Sequence, residues 1–453
     1  MSKNSHRQAR RRHWSGRCSR CQTTALFSLV SALLLALLVA PPHCVWADDD
    51  RKEEGGQTLG FSLGTELLVR AENRSAEGGP QEPGFTFRVR PSVALELTPE
   101  LQVRLTVQGY QAHDHVQEPR VGLYEMFAQW QPDHMFSLAV GRQELAFGSA
   151  FLLGADSFFD GSSFDAVRAS LRGSQGLGLT LFAGRYVRRW SGGMAGTLWG
   201  LWGEAPVGEG GAVEAFFVRD TGGEGLRHRG GAHEQTDSWG LWAKIPWGPG
   251  RSLEIEPVWQ TGHKVVGGGI RRPIRAYGGH ADVTWSWSGG GAERSLFFSL
   301  AWASGDGQPQ TGPFTEFHHP NTDTPLVGDS NLVGDLSGIS WKQEDGQSVR
   351  TSGLTVLTAG FTTATSQLSF TAHAHLFRAD SVPPGWAHTL GLEADLSLSL
   401  HVSQEVSLVV GVNGFSPTPR LARYLARAQR RYLFAQLVVS PQRLIWQGRS
   451  SSD

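Results

Sequence analysis

The feature that most constrains this chain is a regular alternation of apolar and polar residues that recurs along its length. The clearest run is 390–402, where one parity carries Leu, Ala and Val and the other carries mainly Glu, Asp, Ser and His. A period of two places successive side chains on opposite faces of a β-strand, so each strand separates an apolar environment from a polar one. No segment after residue 47 has about 18 consecutive apolar residues, which excludes helical membrane spans.

About 18 runs of this kind follow one another between residues 58 and 440. Short connections alternate with long ones, and the long ones include 74–84, 146–163, 222–236, 263–274, 307–348 and 418–430. Outer-membrane barrels sort their connections in this way, with short periplasmic turns and longer external loops. Because hydrocarbon offers no hydrogen-bond partners, an all-β span must close on itself. We therefore predict an all-β fold, a single antiparallel transmembrane β-barrel of about 18 strands in the lipid of a Gram-negative-type outer membrane.

Tryptophans recur near the ends of the predicted strands, on the apolar parity. Trp residues concentrate at the two membrane interfaces, because there the apolar ring can contact lipid while its N–H contacts water or headgroups. The pattern predicts two girdles. Trp130, Trp247, Trp285 and Trp287 are expected toward the periplasmic rim, and Trp239, Trp259 and Trp302 toward the external rim.

The first 47 residues have the composition of a secretory signal peptide. They hold seven Lys and Arg residues and no acid, then the apolar run 25–40, then Val45-Trp46-Ala47. The 16 residues of that run fall short of the ~20 that a membrane-spanning helix needs, which favours cleavage over a retained anchor. The predicted organisation is a signal peptide at 1–47, a short acidic segment at 48–57, the barrel at 58–440 and a C-terminal periplasmic tail at 441–453.

Composition excludes several other classes of protein. All three cysteines lie in the leader, so the mature chain has no disulfide, thiolate metal site or cysteine nucleophile. The formal net charge of −1 does not suit a nucleic-acid-binding protein, and no nucleic-acid partner is expected. His373 and His375 share an inward face, but without an evident third ligand we interpret them as ordinary lumen residues. No metal, no cofactor and no enzymatic activity are predicted.

The alternation also predicts which charged side chains face the water-filled lumen of such a barrel. The basic inward set is Arg88, Arg90, Arg104, Arg168 and Lys244. The acidic inward set is Glu96, Glu254, Glu256, Asp282, Glu393 and Asp395. Because both signs are well represented, the counts favour neither an anion nor a cation channel. Charges of this kind can also simply pair with one another across strands.

Two motifs in the middle of the chain carry a family resemblance. The stretches 141–148 (GRQELAFG) and 163–168 (SFDAVR) resemble the alginate export family, outer-membrane porins that secrete an anionic polyuronate. Further matches follow in the family's order at 303–306 (ASGD), 391–396 (GLEADL) and 415–417 (FSP). Between the first two motifs this chain has Phe151-Leu152-Leu153, where the family has Arg and Trp.

The resemblance implies an outer-membrane channel for passage or export of an anionic polysaccharide or related solute, with periplasmic export components as partners. Arginines would hold the carboxylates, through several weak sites that let the polymer slide. The candidate solute-binding residues, from the alternation and the matched motifs together, are Arg88, Arg90, Arg104, Arg142, Asp165, Arg168, Lys244, Asp306, Glu393 and Asp395. Arg142 shares its parity with the apolar Leu138 and Val140, so the alternation does not decide whether its side chain faces the lumen or the lipid. Asp165 and Arg168 could simply pair with each other and fix the start of a strand.

Two other functions fit the same sequence. A general or sugar-type diffusion porin for small solutes is the main alternative, and a structural or adhesive barrel without conduction is the other. Channel measurements separate them, because only a conducting barrel passes current and only an exporter is blocked by long uronate oligomers.

Overall fold

Antiparallel strand pairing continues around the whole molecule in the computed structural model. The structure describes residues 58–76, 81–112, 120–155, 161–187, 196–222, 234–266, 270–307, 312–318, 336–342, 348–422 and 430–449. The predicted signal peptide and acidic segment lie outside these residues. No helix in the described ranges is long and apolar enough to cross a membrane.

The first half of the wall is made by strands that follow one another in sequence. They are β1 (Thr58–Ala76), β2 (Gln81–Thr98), β3 (Leu101–Ala112), β4 (Arg120–Trp130), β5 (Phe136–Gln143), β6 (Phe164–Arg172), β7 (Gly178–Tyr186), β8 (Thr197–Val207) and β9 (Gly211–Thr221). Strands β5 to β7 are the shortest of them, with eight or nine residues each.

The second half contains the longer strands and a small separate hairpin. The strands are β10 (Glu234–Gly248), β11 (Arg251–Val266), β12 (Ile270–Gly289), β13 (Ala292–Ala303), β14 (Ser340–Lys342), β15 (Ser348–Arg350), β16 (Ser352–Ala364), β17 (Leu368–Ser381), β18 (Thr389–His401), β19 (Val406–Pro417), β20 (Arg430–Val439) and β21 (Gln442–Arg449). A single helical turn, α1 (Pro419–Ala422), follows β19. β14 and β15 pair only with each other, within the connection between β13 and β16.

The barrel closes where β1 meets β20. Their register runs from Leu67 opposite Val439 to Ala76 opposite Arg430. The sheet has 19 segments, but β20 and β21 both pair with β1 and occupy one position in the wall, which leaves 18. The predicted closed antiparallel barrel of about 18 strands is confirmed.

The end of the last strand differs from the predicted boundary at residue 440. Beyond Ser440 and Pro441 the chain resumes as β21, whose Gln442–Arg449 pair with Thr58–Gly64 of β1. Proline has no N–H to donate, which accounts for the interruption between β20 and β21. Eight residues of the predicted C-terminal tail therefore remain paired to the wall.

Connections are sorted between the two ends of the barrel, here named the turn end and the loop end. The turns at the turn end have five residues or fewer, at 99–100, 131–135, 173–177, 208–210, 249–250, 290–291, 365–367 and 402–405. The loop end carries 144–163 and 304–351. Two connections predicted to be long, 74–84 and 263–274, are short because β1–β2 and β11–β12 stay paired beyond the predicted ends.

The outer face is apolar and its tryptophans lie near strand ends, as the sequence predicts. Strand residues of the outer parity expose large apolar side chains, as expected of a wall that faces lipid. The most exposed tryptophans, between 40% and 62% of their surface, are Trp130, Trp199, Trp239, Trp247, Trp259, Trp285 and Trp287. Trp130, Trp247 and Trp287 flank the turn end, and Trp239 lies toward the loop end.

On the inner face, aromatic rings lie over glycines of the neighbouring strand. A Cβ placed on Gly240 or Gly360 would fall within the ring of Phe216 or Phe297, its cross-strand partner. Covering glycine with an aromatic ring removes exposed backbone and lets the ring lie flat on the wall. The abundant glycine of this chain therefore has a packing role, which is to keep bulky rings out of the lumen.

Candidate functional site

The interior of the barrel is crossed by the connection between β5 and β6, residues 144–163, here named the crossing loop. Its described part is strongly apolar, and Phe151, Leu152 and Leu153 are each 1% exposed or less. Phe147 stacks with Phe182 of β7 and Trp202 of β8, at ring-centroid distances of 4.7 and 5.0 Å. Burial of these side chains favours a loop that folds into the barrel over one that extends into solvent.

The crossing loop is anchored on the wall six strand positions away from β5. Ser149 donates its hydroxyl hydrogen to the carboxylate of Glu256 on β11. The same hydroxyl oxygen lies 2.9 Å from Nε2 of His280 on β12. The other ring nitrogen of His280, Nδ1, lies 2.6 Å from a carboxylate oxygen of Asp282. Three charged or polar wall residues thus hold the far side of the loop.

On its return, the crossing loop touches the opposite side of the lumen. Gly161 packs against Arg90 of β2 and Tyr124 of β4, so closely that a Cβ would lie 2.6 Å from the tyrosine hydroxyl. Its φ of +70° is also one that glycine adopts without strain. The loop therefore contacts β2 and β4 as well as β11 and β12, and it divides the interior.

A second inward segment meets the crossing loop. Residues 312–318 belong to the connection between β13 and β16, and Phe317 in this segment stacks on Phe151 at 5.7 Å. The backbone N–H of His318 donates to Oε1 of Gln260 on β11 at 2.9 Å. The buried apolar side chains of both connections form one cluster with inward residues of β6–β13 and β16–β19.

Arginines of the inner face lie mainly on β1–β6, together with carboxylates such as Glu66 and Glu72. Arg88 forms an ion pair with Glu66 of β1, and Arg90 donates through Nε to Gln108 Oε1 at 2.6 Å. The guanidinium of Arg90 also lies 3.9 Å above the ring of Tyr124. Both arginines are less than 8% exposed, whereas Arg104 of β3 is open to the lumen.

Carboxylates of the inner face concentrate on β8–β12, beyond the crossing loop. Glu214 accepts the indole N–H of Trp202 at 2.5 Å, and Glu254 accepts that of Trp242 at 3.0 Å. The acidic inward residues of these strands include Glu204, Glu214, Glu254, Glu256 and Asp282. Lys244, Lys264 and Arg272 also lie on the inner face of β10–β12, each beside a carboxylate, so this wall carries both signs with acids in excess. Such an excess on one wall produces an electric field across the lumen, which orients a charged solute as it passes. Sequence counts alone did not reveal this local excess.

Arg142 and Asp165 do not line the lumen, contrary to the prediction that they bind solute there. Arg142 shares its parity with Val140, and Asp165 shares its parity with Val167; each valine is 47% exposed on the outer face. The two charged residues bond to each other, with Nε–Oδ1 at 2.8 Å and Nη2–Oδ2 at 3.2 Å. This bidentate pair fastens β5 to β6 where the crossing loop departs.

Asp306 lies in a loop and is buried in a structural ion pair. It follows β13, and its Oδ2 is 3.2 Å from Nη1 of Arg272 on β12. Arg272 also donates to the carbonyl oxygens of Gly312 and Pro313, each at 2.9 Å. The contacts assign Asp306 to anchoring the inward segment and leave it nine-tenths covered.

The remaining predicted residues face inward. Arg168 of β6 is half-buried on the inner face, and Lys244 of β10 is exposed there, 4.0 Å from Glu254. Glu393 and Asp395 of β18 are both buried on the inner wall beside the two histidines of β17. Sequence reasoning missed the roles of Ser149, His280, Tyr124 and Glu144. The alternation could have indicated only that His280 faces inward, because it has the same parity as Asp282.

A closed barrel with an apolar outer face, a charged inner face and an inward loop is the architecture of an outer-membrane channel. The model of the alginate export family matches residues 60–333 of the sequence. The chain therefore belongs to this family.

Solved structures of the same fold come from Pseudomonas aeruginosa. OpdQ is 12% identical, with a TM-score of 0.58 over 85% of this chain and 99% of that chain. OccK2 (OpdF) in complex with glucuronate is 11% identical, with a TM-score of 0.56 over 85% of this chain and 98% of that chain. No curated protein sequence matches this chain. At these identities the likeness extends to the fold alone.

Proposed function

We propose that this protein passes an anionic polyuronate, or a uronate-containing fragment of one, through the outer membrane. The observation that carries the proposal is the pair of accessible inward arginines on β3 and β6, Arg104 and Arg168, facing a β8–β12 wall on which carboxylates outnumber cations. A carboxylate-bearing solute is attracted to these two arginines and repelled by the excess of carboxylates on the other wall. Membership of the alginate export family and the glucuronate bound by OccK2 support the same solute class.

Arg104 and Arg168 are the main contacts that we propose for the solute, because they are more accessible than Arg88 and Arg90. Arg88 and Arg90 are covered and engaged by Glu66, Gln108 and neighbouring groups. Their charge contributes to the field, while Arg104 can form charge-assisted hydrogen bonds with a passing carboxylate. Contacts of moderate strength suit transport, because a solute held too tightly would block the channel.

Diffusion of small solutes is the second candidate, and the crossing loop favours it. A loop that contacts both sides of the lumen reduces the section available to a wide polymer. Monomeric glucuronate and long uronate oligomers separate the two functions: an exporter is blocked by the oligomer at lower concentration than by the monomer. Equal effects of monomer and oligomer would favour the small-solute porin.

Replacing Arg104 or Arg168 by Ala is expected to weaken block by uronate oligomers. Exposed charge pairs contribute about 0.2–1 kcal/mol, so each substitution should raise the half-blocking concentration by about 1.4- to fivefold. Single channels in planar bilayers, titrated with oligomers at fixed salt, give this concentration directly. The double variant should show the product of the two effects if the side chains act independently.

Arg142→Ala is the matched control, because Arg142 belongs to the same motif region but faces outward. Its half-blocking concentration should equal that of the parent chain. Equal block by the parent, the Arg104 variant and the Arg168 variant would contradict the proposed solute contacts, while leaving the barrel itself untouched.

Glu144 should make the channel sensitive to mild acid. Burial beside Tyr124 and Arg90 raises the pKa of its carboxyl above the ordinary value of 4.5, against the lowering effect of the tyrosine hydrogen bond. A carboxyl with a raised pKa takes up its proton at a higher pH than a free one. As pH falls from neutral, Glu144 becomes neutral and the nearby arginines are less compensated. Anion preference, measured as the reversal potential in a salt gradient, should therefore rise.

Glu144→Gln should have the higher anion preference already at neutral pH and should lose most of the change with acid. Glu100→Gln, in an exposed turn, serves as the control and should behave like the parent chain. A parent channel whose reversal potential is constant over this range would refute the assignment to Glu144.

Ser149, His280 and Asp282 have the residue types of a hydrolase triad, but they hold the crossing loop to the wall. In a hydrolase the serine hydroxyl donates to the histidine, whereas here Ser149 donates to Glu256. This direction of the serine hydrogen bond suits a residue that anchors the loop and does not suit a nucleophile. We propose that the protein is a channel without enzymatic activity. Export of a polymer would further require periplasmic components that deliver it to the turn end.

A further inference from the structure

Two histidines and two carboxylates form a patch on the inner wall at β17–β18. His373 lies opposite Asp395, and His375 lies opposite Glu393, in the antiparallel register. Directly opposed residues of neighbouring strands project from the same face, with Cβ atoms about 4.5–5.5 Å apart. The register thus supplies acidic neighbours for a histidine pair that has no third ligand in the local sequence.

The patch has the dimensions of a metal-binding site. One ligand atom each from His373, His375 and Asp395 can be chosen so that all lie within 4.8 Å of one another. His375 Nε2 and Asp395 Oδ2 are already 3.1 Å apart. Zinc binds nitrogen and oxygen at about 2.0–2.2 Å, so two ligand atoms of a tetrahedral site lie about 3.3–3.6 Å apart. Small side-chain rotations bring all three atoms within that range.

Thr358 of β16 fixes how His375 is presented. Its hydroxyl oxygen lies 2.8 Å from Nδ1 of His375, which is only 2% exposed. In the tautomer that donates Nδ1–H to Thr358, the lone pair of Nε2 faces the carboxylate of Asp395. Nε2 forms no hydrogen bond within the part of the chain that the structure describes. In that tautomer the two electron-pair donors, 3.1 Å apart, repel each other unless a proton or a metal cation lies between them.

We propose that His373, His375 and Asp395 bind one first-row divalent cation of the Zn²⁺ type in the wall of the lumen. Imidazole and carboxylate together suit Zn²⁺, whereas Ca²⁺ and Mg²⁺ prefer sites made only of oxygen. Half-buried His373 leaves the site open to the lumen for a water molecule as fourth ligand. Thr358 is the outer partner that orients His375, as carbonyls and carboxylates do in known zinc sites.

A second cluster, Glu254, His280 and Asp282, satisfies the same distance criterion. There, however, Nδ1 of His280 is 2.6 Å from Asp282 and Nε2 is 2.9 Å from Ser149 of the crossing loop. An ion at that position would displace the anchor of the loop. The β17–β18 patch binds a cation without breaking a contact between the loop and the wall, and we assign the site to it.

Titration of the refolded full chain in detergent with Zn²⁺, followed by calorimetry, tests the proposal. Co²⁺ is the spectroscopic probe, because its visible absorption reports tetrahedral coordination by nitrogen and oxygen. One Zn²⁺ per chain is expected. His375→Ala and Asp395→Asn should weaken binding by more than the about 10–100-fold that loss of an outer partner costs, and Thr358→Val by about that amount. Thr358→Ser keeps the hydroxyl and should restore most of the affinity.

His401→Ala is the matched control, an exposed histidine on the inner parity of β18, and should leave Zn²⁺ binding unchanged. Circular dichroism and heat-dependent gel mobility establish that each variant is folded. Absence of Zn²⁺ binding to the folded parent chain would overturn the proposal. So would binding that survives in His375→Ala and disappears in His280→Ala, since that result assigns the ion to the other cluster. Neither outcome depends on which solute the channel carries.

Discussion

Removing the crossing loop should increase single-channel conductance severalfold. The variant deletes residues 146–160 and joins Leu145 to Gly161 through two glycines. The join is geometrically simple, because Gln143 and Phe164 are already opposite each other at the ends of β5 and β6. An 18-stranded wall encloses an aqueous channel unless something fills it, and the crossing loop packs there together with the inward segment 312–318. Conductance in planar bilayers at high salt measures the change.

Phe151→Ala provides a milder test of the same idea, since it removes one buried ring and its contacts with Phe317 and His280 but leaves the rest of the loop. It should increase open-channel noise more than mean conductance, because the loop stays anchored through Ser149. A substitution in the exposed 208–210 turn is the control for general damage. A folded deletion variant with the parent's conductance would show that the loop does not limit the ion pathway.

Arg272→Met is expected to destabilise the barrel strongly. The side chains of Arg272 and Asp306 are each only 4% exposed, so the substitution leaves a buried carboxylate without its cation. Such a loss costs about 3–5 kcal/mol, much more than the net contribution of the pair. Urea unfolding of the refolded protein, followed by tryptophan fluorescence, measures the free energy of unfolding and should give this loss.

The double variant Arg272→Met with Asp306→Leu should recover most of the lost stability, because it removes both charges. Arg172→Met is the matched control: Arg172 is 72% exposed and 3.9 Å from Glu204, and such pairs contribute about 1 kcal/mol or less. If Arg272→Met cost no more than Arg172→Met, Asp306 would not be a structural anchor, and its predicted contact with solute would be the better explanation.

The wall of the barrel could be predicted closely because one local rule determines it. A period of two assigns Arg88 and Arg104 to the inner face from neighbouring residues alone, and the structure places both there. Arg142 shows the limit of the rule. Its valine and leucine neighbours of equal parity pointed outward, but the family motif suggested the lumen. The side chain lies on the outer face, paired with Asp165.

The contents of the lumen could not be predicted, because they depend on contacts between distant parts of the chain. Ser149 meets Glu256 and His280, which are 107 and 131 residues further along. No periodicity links these positions. The third metal ligand was hidden for a related reason: Asp395 joins the histidines only once the register of β17 and β18 is known. The alternation of apolar and polar residues therefore predicts the strands, whereas the sites become evident only when the register between strands is known.

The two motifs that carry the family resemblance, 141–148 and 163–168, lie where the crossing loop leaves β5 and where it enters β6. The Arg142–Asp165 pair that joins them lies on the outer face of the barrel. Arg168, the last residue of the second motif, faces the lumen instead and is one of the proposed contacts for the solute. The same short stretch therefore determines both how the crossing loop is attached to the wall and one charge that a passing solute meets. A substitution that loosens the outer pair can move the loop and the inward arginine together.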